Sequence, residues 1–163
     1  MANTSRINGL RAVKALGATG GYTGSVNTYF IPSGNAANVF IGDPVKADTT
    51  GDTVAAGGEG RGIQSVVPAA AADAVIGVVV GFATNPLNLN TPQFRAASTG
   101  RYVLVADDPA TIFEVQTSNG TLAQDAVGLN ASLAIGAGST TTGNSGVTLD
   151  VATAAVTATL PFK

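Results

Sequence analysis

The feature that most constrains the fold is an uncharged apolar run, AVIGVVVGF, over residues 74–82. In a β-strand successive side chains point to opposite faces. The odd-numbered residues of this run therefore share one face, reduced in size by Gly77 and Gly81, and the even-numbered residues share the other. Because both faces are apolar, and an exposed run of this kind would aggregate, the pattern predicts a central strand of a barrel or sandwich. Its glycines would let a neighbouring backbone approach closely or let the strand bend.

Further short apolar strings occupy residues 28–32, 38–45 and 62–67, and each is bounded by Gly, Pro, Asn or Asp. Short apolar segments separated by turn-forming residues are typical of an all-β domain. The stretch RYVLVADDPATIFEVQ (101–116) adds two apolar segments around an Asp-Asp-Pro turn, which predict neighbouring strands. Strict alternation of apolar residues over 156–162 predicts a half-buried last strand. The 163-residue length fits one domain, which we expect over residues 25–163.

The first 24 residues are rich in small residues and predict an extended N-terminal arm. Arg6, Arg11 and Lys14 lie in this segment without an acid, whereas the remainder of the chain carries five bases and ten acids. A basic arm on an acidic body indicates docking on an acidic partner surface, although three scattered bases are also compatible with an ordinary solvated segment. Apolar residues at helical spacing between Ile7 and Leu16 also allow a short helix.

Charged residues make up only 11% of the chain, against roughly 25% in soluble domains. Such a composition favours a surface partly covered by other subunits. The long connection at 83–100 contains three apolar residues, Leu87, Leu89 and Phe94, that predict contact between subunits.

The residues argue against an enzyme. The chain has no histidine and no cysteine, so carboxylates, Lys, Tyr, Ser and Thr are the remaining catalytic groups. Asp107 and Asp108 are adjacent and would diverge at a strand end, so we interpret them as the corner of a turn, in solvent or on a subunit contact. The glycine-rich stretch GGEGRG at 57–62 precedes a strand, unlike a phosphate-binding loop, and is interpreted as a flexible connection.

No cofactor is expected, and no metal site, because the spacing of Asp43, Asp48 and Asp52 matches no calcium loop. Nucleic acid is an unsuitable partner for so few bases without an aromatic platform. The longest apolar run is too short to cross a bilayer, and the N-terminal segment lacks the apolar core of a secretory signal. The sequence therefore predicts a soluble chain with no membrane partner.

Three segments resemble the decoration, or cement, proteins that tailed bacteriophages place on the outside of their heads. They are FIPSGNAANVFIGDPVKAD, AAAADAVIGVVVGFA and STGRYVLVADDPATIFEVQ, at 30–48, 69–83 and 98–116. The resemblance is one of pattern over about residues 28–118 and carries no catalytic motif.

The resemblance implies a single β-barrel or jelly-roll-like domain, commonly a homotrimer, that sits over junctions of the major capsid protein. The protein would be made in the host cytoplasm and located on the outer surface of the virion, where many copies stabilise the shell. On this hypothesis Arg6, Arg11 and Lys14 contact capsid carboxylates, and Leu87, Leu89 and Phe94 contact other subunits. Alternatives are a carbohydrate- or receptor-binding virion module and a head or tail structural subunit.

Overall fold

The computed structural model describes residues 6–17, 19–85 and 88–156, and its regular structure there is almost entirely β. The strands are β1 (Arg11–Ala15), β2 (Asn27–Ile31), β3 (Pro44–Gly51), β4 (Gln64–Pro68), β5 (Gly77–Phe82), β6 (Arg101–Ala106), β7 (Thr111–Glu114), β8 (Thr117–Ser118), β9 (Asn130–Ala134) and β10 (Thr148–Ala155). Two short 3₁₀ turns span Val54–Ala56 and Gln124–Ala126. The all-β class expected from the sequence is confirmed.

Five of these strands are hydrogen-bonded in the closed order β2, β4, β3, β5, β6, with β6 returning to β2. β2 and β4 are parallel, and the other four pairs are antiparallel. β-branched side chains dominate the interior of this ring because they pack well on a pleated surface. The fully buried members of this first core are Ile31, Val39, Val45, Val66, Val79, Val103 and Val105.

Two smaller sheets complete the structure. β1 pairs with β7 in an antiparallel ribbon, and β10 lies between a parallel β8 and an antiparallel β9. A second core joins these additions to the ring through Val78 of β5. It is formed by Leu10, Val78, Leu133 and Val147, with Phe113, Val115 and Leu149 packed against it. The described body therefore has two apolar cores that meet at β5.

β5 has the central position that its two apolar faces predict. It pairs with β3 on one side and β6 on the other. Val79 points into the first core and its neighbour Val78 into the second. The register shifts between Val79 and Gly81, which places the even-numbered Phe82 against the first core. The strict two-face assignment is therefore wrong at both ends of the run: a bulge reverses the alternation after Val79, and the even-numbered Ile76, just before β5, also packs against the first core.

The two glycines of β5 have different roles: Gly77 is the site of close backbone approach, whereas Gly81 adjoins the register shift, where a bulged strand bends. A Cβ on Gly77 would collide with the carbonyl oxygen of Ala106, so the close approach of β6 requires glycine there. A Cβ on Gly81 would meet only the Leu104 side chain, at 3.7 Å. The prediction of close backbone approach is confirmed at Gly77 and does not hold at Gly81.

The N-terminal segment is bound to the body. The helix considered between Ile7 and Leu16 is wrong, because residues 11–15 form β1. Leu10 is 3% exposed and its amide donates to the carbonyl of Gly42 at 3.0 Å. The backbone of residues 8–10 passes close to Gly42. A side chain on Gly42 is excluded, because its φ is +94° and an added Cβ would lie 2.7 Å from the Asn8 carbonyl oxygen. The described part of the predicted arm is thus anchored through Leu10 and β1.

Three strand predictions need correction or fall outside the described residues. β6 and β7 are not neighbours: β6 pairs with β2 and β5, whereas β7 pairs with β1. The string at 38–45 forms two isolated bridges, at Val39 and Ile41, before β3 begins at Pro44. Of the last predicted strand, residues 157–162 lie outside the described ranges.

Candidate interaction surface

The three basic residues predicted to contact a partner are all exposed. Arg11 and Lys14 belong to β1, which fixes their spacing, and Arg6 precedes that strand. Arg11 is the register partner of Glu114 on β7. Opposite charges at facing positions of a sheet attract each other, so part of the Arg11 charge is compensated within the chain.

The three apolar residues predicted at subunit contacts have different surroundings. Leu89 is 85% exposed. Phe94 is half-buried, and its ring stacks on Phe40 with centroids 5.2 Å apart. Leu87 lies outside the described residues. Leu89 is therefore available to a partner, whereas Phe94 already packs against its own chain.

Arg95, which the sequence interpretation missed, holds the segment around Phe94 in place. It is fully buried, with 0% exposure. Its Nε donates to the Thr99 carbonyl (2.7 Å), its Nη1 to the Ala37 carbonyl (2.6 Å) and its Nη2 to the Pro32 carbonyl (2.7 Å). Burial lowers the pKa of the guanidinium, and no described carboxylate forms an ion pair with it. Arg95 thus joins two connections through carbonyl dipoles alone.

A cleft beside this segment is lined by Arg101, at the start of β6. Its volume is about 500 Å³, and it is continuous with a second cavity of about 260 Å³. The two cavities share the residues Thr84, Asn85, Thr91, Pro92 and Arg101. We call the combined space the Arg101 cleft.

The guanidinium of Arg101 is held in a fixed position in this cleft. Its Nη1 donates to the carbonyls of Pro92 at 2.7 Å and Phe94 at 2.6 Å, and its Cζ lies 4.7 Å from the Phe82 ring centroid. Its Nε is buried without a hydrogen-bond partner among the described residues. Partial burial lowers the pKa of Arg101, and the group remains cationic at neutral pH.

One wall of the cleft is the glycine-rich loop at 57–62, which is organised around Asp52. That carboxylate is 2% exposed and accepts from the amides of Arg61 (2.8 Å) and Ile63 (2.9 Å) and from the Tyr102 hydroxyl (2.9 Å). Burial opposes its ionisation, but these hydrogen bonds outweigh burial and lower the pKa of Asp52. The Tyr102 hydroxyl also accepts from the Glu59 amide at 2.9 Å. The loop interpreted as a flexible connection is therefore tied to Asp52 at several points.

The paired aspartates have separate partners. Asp107 accepts hydrogen bonds from the Asn27 amide at 2.9 Å and the Tyr29 hydroxyl at 2.7 Å. Burial, this hydrogen bond and the Asp107 charge together raise the pKa of Tyr29 to about 12. Asp108 is exposed and accepts from the amide of Ala110 at 2.8 Å, as a turn aspartate does. The expected solvent-facing position is confirmed for Asp108, whereas Asp107 is half-buried and bonded within its chain.

The aspartates considered as cation ligands are also used locally. Asp43 accepts from the Phe40 amide at 2.7 Å, and Asp48 from the Thr50 hydroxyl at 2.7 Å. Within residues 6–17, 19–85 and 88–156 no group of three or more potential metal-binding side chains comes together. The same part of the chain contains no helix of the length and hydropathy needed to span a bilayer.

Comparison of the chain with protein-family models, curated proteins and solved structures finds no match in any of the three. The surface described above is therefore interpreted from its own geometry and chemistry.

Proposed function

We propose that this protein is a structural virion protein that binds the outside of a tailed-phage head and stabilises the shell. The proposal rests on the sequence resemblance over residues 28–118, and the major capsid protein is the partner it implies. Copies of this chain would assemble with one another, as homotrimers, over junctions of the capsid lattice.

The observation that carries the proposal is the exposure of large aliphatic side chains on a chain with few charges. Leu16, Val54, Leu89, Val127 and Val156 are between 74% and 88% exposed, and only 11% of all residues are charged. Single exposed aliphatics are ordinary, but this combination favours a surface that is covered in an assembly.

The exposed basic residues support a role at the capsid contact. β1 presents Arg11 and Lys14 on a strand that is fixed to the body through Leu10. Charge complementarity across an interface increases the association rate and fixes orientation. Acidic patches on the shell would therefore be the matching surface.

Binding to expanded heads that lack this protein tests the proposal. Purified protein should sediment with the heads to saturation, and decorated heads should release their DNA at a higher temperature than bare heads. A variant combining Arg6→Gln, Arg11→Gln and Lys14→Gln should bind more weakly, whereas Lys46→Gln, which removes the cation of the Lys46–Asp73 ion pair, should bind normally. Failure of the wild-type protein to bind, together with unchanged heat resistance of the heads, would refute the proposal.

A further inference from the structure

We propose that the Arg101 cleft binds a carboxylate carried by an extended segment of a partner protein. The inference concerns a property of this chain alone and does not depend on which assembly the partner belongs to. Three features of the cleft support it: a fixed cation, the lack of a counter-ion, and a shape and lining that suit a peptide.

The cation is fixed before any ligand arrives. Two backbone carbonyls accept from Nη1 of Arg101, and the Phe82 ring lies 4.7 Å from its Cζ. Binding to a group that is already ordered avoids most of the entropy loss that a free arginine side chain would incur. Because Nη1 donates to these two carbonyls and Nε is buried, Nη2 is the group that has no acceptor among the described residues and can donate a charge-assisted hydrogen bond to a carboxylate.

The charge of Arg101 has no counter-ion within the described part of the chain. The ion pairs found there join Lys46 to Asp73 and Arg61 to Glu59. Glu59 lines the same cleft, but it is engaged by Arg61. A half-buried cation attracts an anion more strongly than an exposed one, because water screens it less.

The remaining lining suits a polypeptide rather than a small anion. The two continuous cavities, of about 500 and 260 Å³, exceed the space that a single carboxylate fills. The amide side chains of Asn88 and Asn90 and the hydroxyl of Thr91 line this space, and such groups can hydrogen-bond to peptide N–H and C=O groups. Leu89, strongly exposed beside the second cavity, offers an apolar contact to the flanking residues of the segment.

The test is an NMR titration of ¹⁵N-labelled protein with the peptide acetyl-Ala-Ala-Glu-Ala-Ala-amide. Its counterpart with Gln in place of Glu differs only in the charge, and sodium acetate supplies a carboxylate without a peptide. The Nε–H signal of Arg101, protected by burial, is the direct readout. We expect a saturable shift of this signal, with a Kd for the Glu peptide at least about fivefold lower than for the Gln peptide or acetate, because a charge-assisted hydrogen bond is the stronger one.

Variants identify the group responsible. Arg101→Gln should abolish the preference for the Glu peptide, Arg101→Lys should reduce it, and Lys46→Gln, outside the cleft, should leave it unchanged. Equal affinity of the Glu and Gln peptides for the wild-type protein would overturn the proposal, and this comparison needs no variant to fold. Equal affinity of acetate and the Glu peptide would show a site for free carboxylates and refute the peptide assignment.

Discussion

Replacing Leu10 tests whether the N-terminal segment is part of the folded body. Leu10 is 3% exposed and packs in the second core with Val78, Leu133 and Val147. Truncating a buried leucine to alanine removes the transfer free energy of its methyl groups and leaves a cavity, at a cost of about 2–5 kcal/mol. We expect Leu10→Ala to lower the free energy of unfolding by roughly 3 kcal/mol, because Leu10 is almost fully buried in this core.

Urea unfolding measured by circular dichroism gives this quantity directly. The midpoint should fall while the slope of the transition stays unchanged, since the surface exposed on unfolding is nearly the same. For a chain of this length the loss corresponds to a drop in Tm of roughly 6–12 °C. Leu16→Ala is the matched control: Leu16 is 74% exposed, so its replacement should change the stability by less than about 0.5 kcal/mol.

One result would refute the packing of the N-terminal segment in the folded body. If Leu10→Ala were as stable as Leu16→Ala, the packing of Leu10 would contribute nothing and residues 9–15 would be a detachable arm. Deletion of residues 1–24 would then leave the β-domain folded. On the present structure that deletion removes β1 from β7 and Leu10 from the second core, and we expect it to destabilise the whole body.

Three further substitutions test the buried polar groups. Arg95→Met should destabilise the fold by roughly 1–3 kcal/mol in urea unfolding, because it leaves the buried Pro32 carbonyl without its donor and removes two further, part-buried hydrogen bonds; a Met variant as stable as wild type would refute the anchoring role. The pKa of Asp52 is lowered in the folded state. The Asp52 carboxylate therefore contributes fully to stability above the ordinary aspartate pKa of about 3.9. This contribution is lost as the pH falls through the lower, folded-state pKa. The Tm of Asp52→Asn should therefore fall less between pH 5 and 2 than that of wild type, and parallel curves would contradict this. Asp107→Asn should lower the pKa of Tyr29 from about 12 towards 10 in a ¹³C NMR titration, whereas Asp108→Asn should leave it unchanged; the reverse pattern would refute the pairing.

The sequence predicts the strands of the ring well and their partners poorly. An apolar run bounded by glycine and proline is a local signal, and it correctly indicated β2, β4, β5 and β6. Pairing is non-local, so nothing in RYVLVADDPATIFEVQ reveals that β6 and β7 join different sheets. The Asp108 turn redirects the chain there, and a turn residue alone does not specify which strand follows as the neighbour.

The candidate surface was harder to predict for a related reason. Asp52 and Arg95 have no sequence pattern that separates them from ordinary loop residues, because their partners are mostly backbone groups, which carry no sequence signal. A lone arginine among uncharged residues, as in QFRAAS, gives only a weak indication of an anchor. The exposure of Leu89 followed from its position in a long connection, whereas the stacking of Phe94 on Phe40 depends on the tertiary fold.

The measurement that tests the central proposal most directly is a cryo-electron microscopy difference map between phage heads with and without this protein. The proposal predicts density on the outside of the shell, over junctions of capsid subunits, in threefold clusters whose units each fit the 16.0 kDa chain. Density inside the shell or in the tail, or a map with no difference on the outer surface, would contradict it.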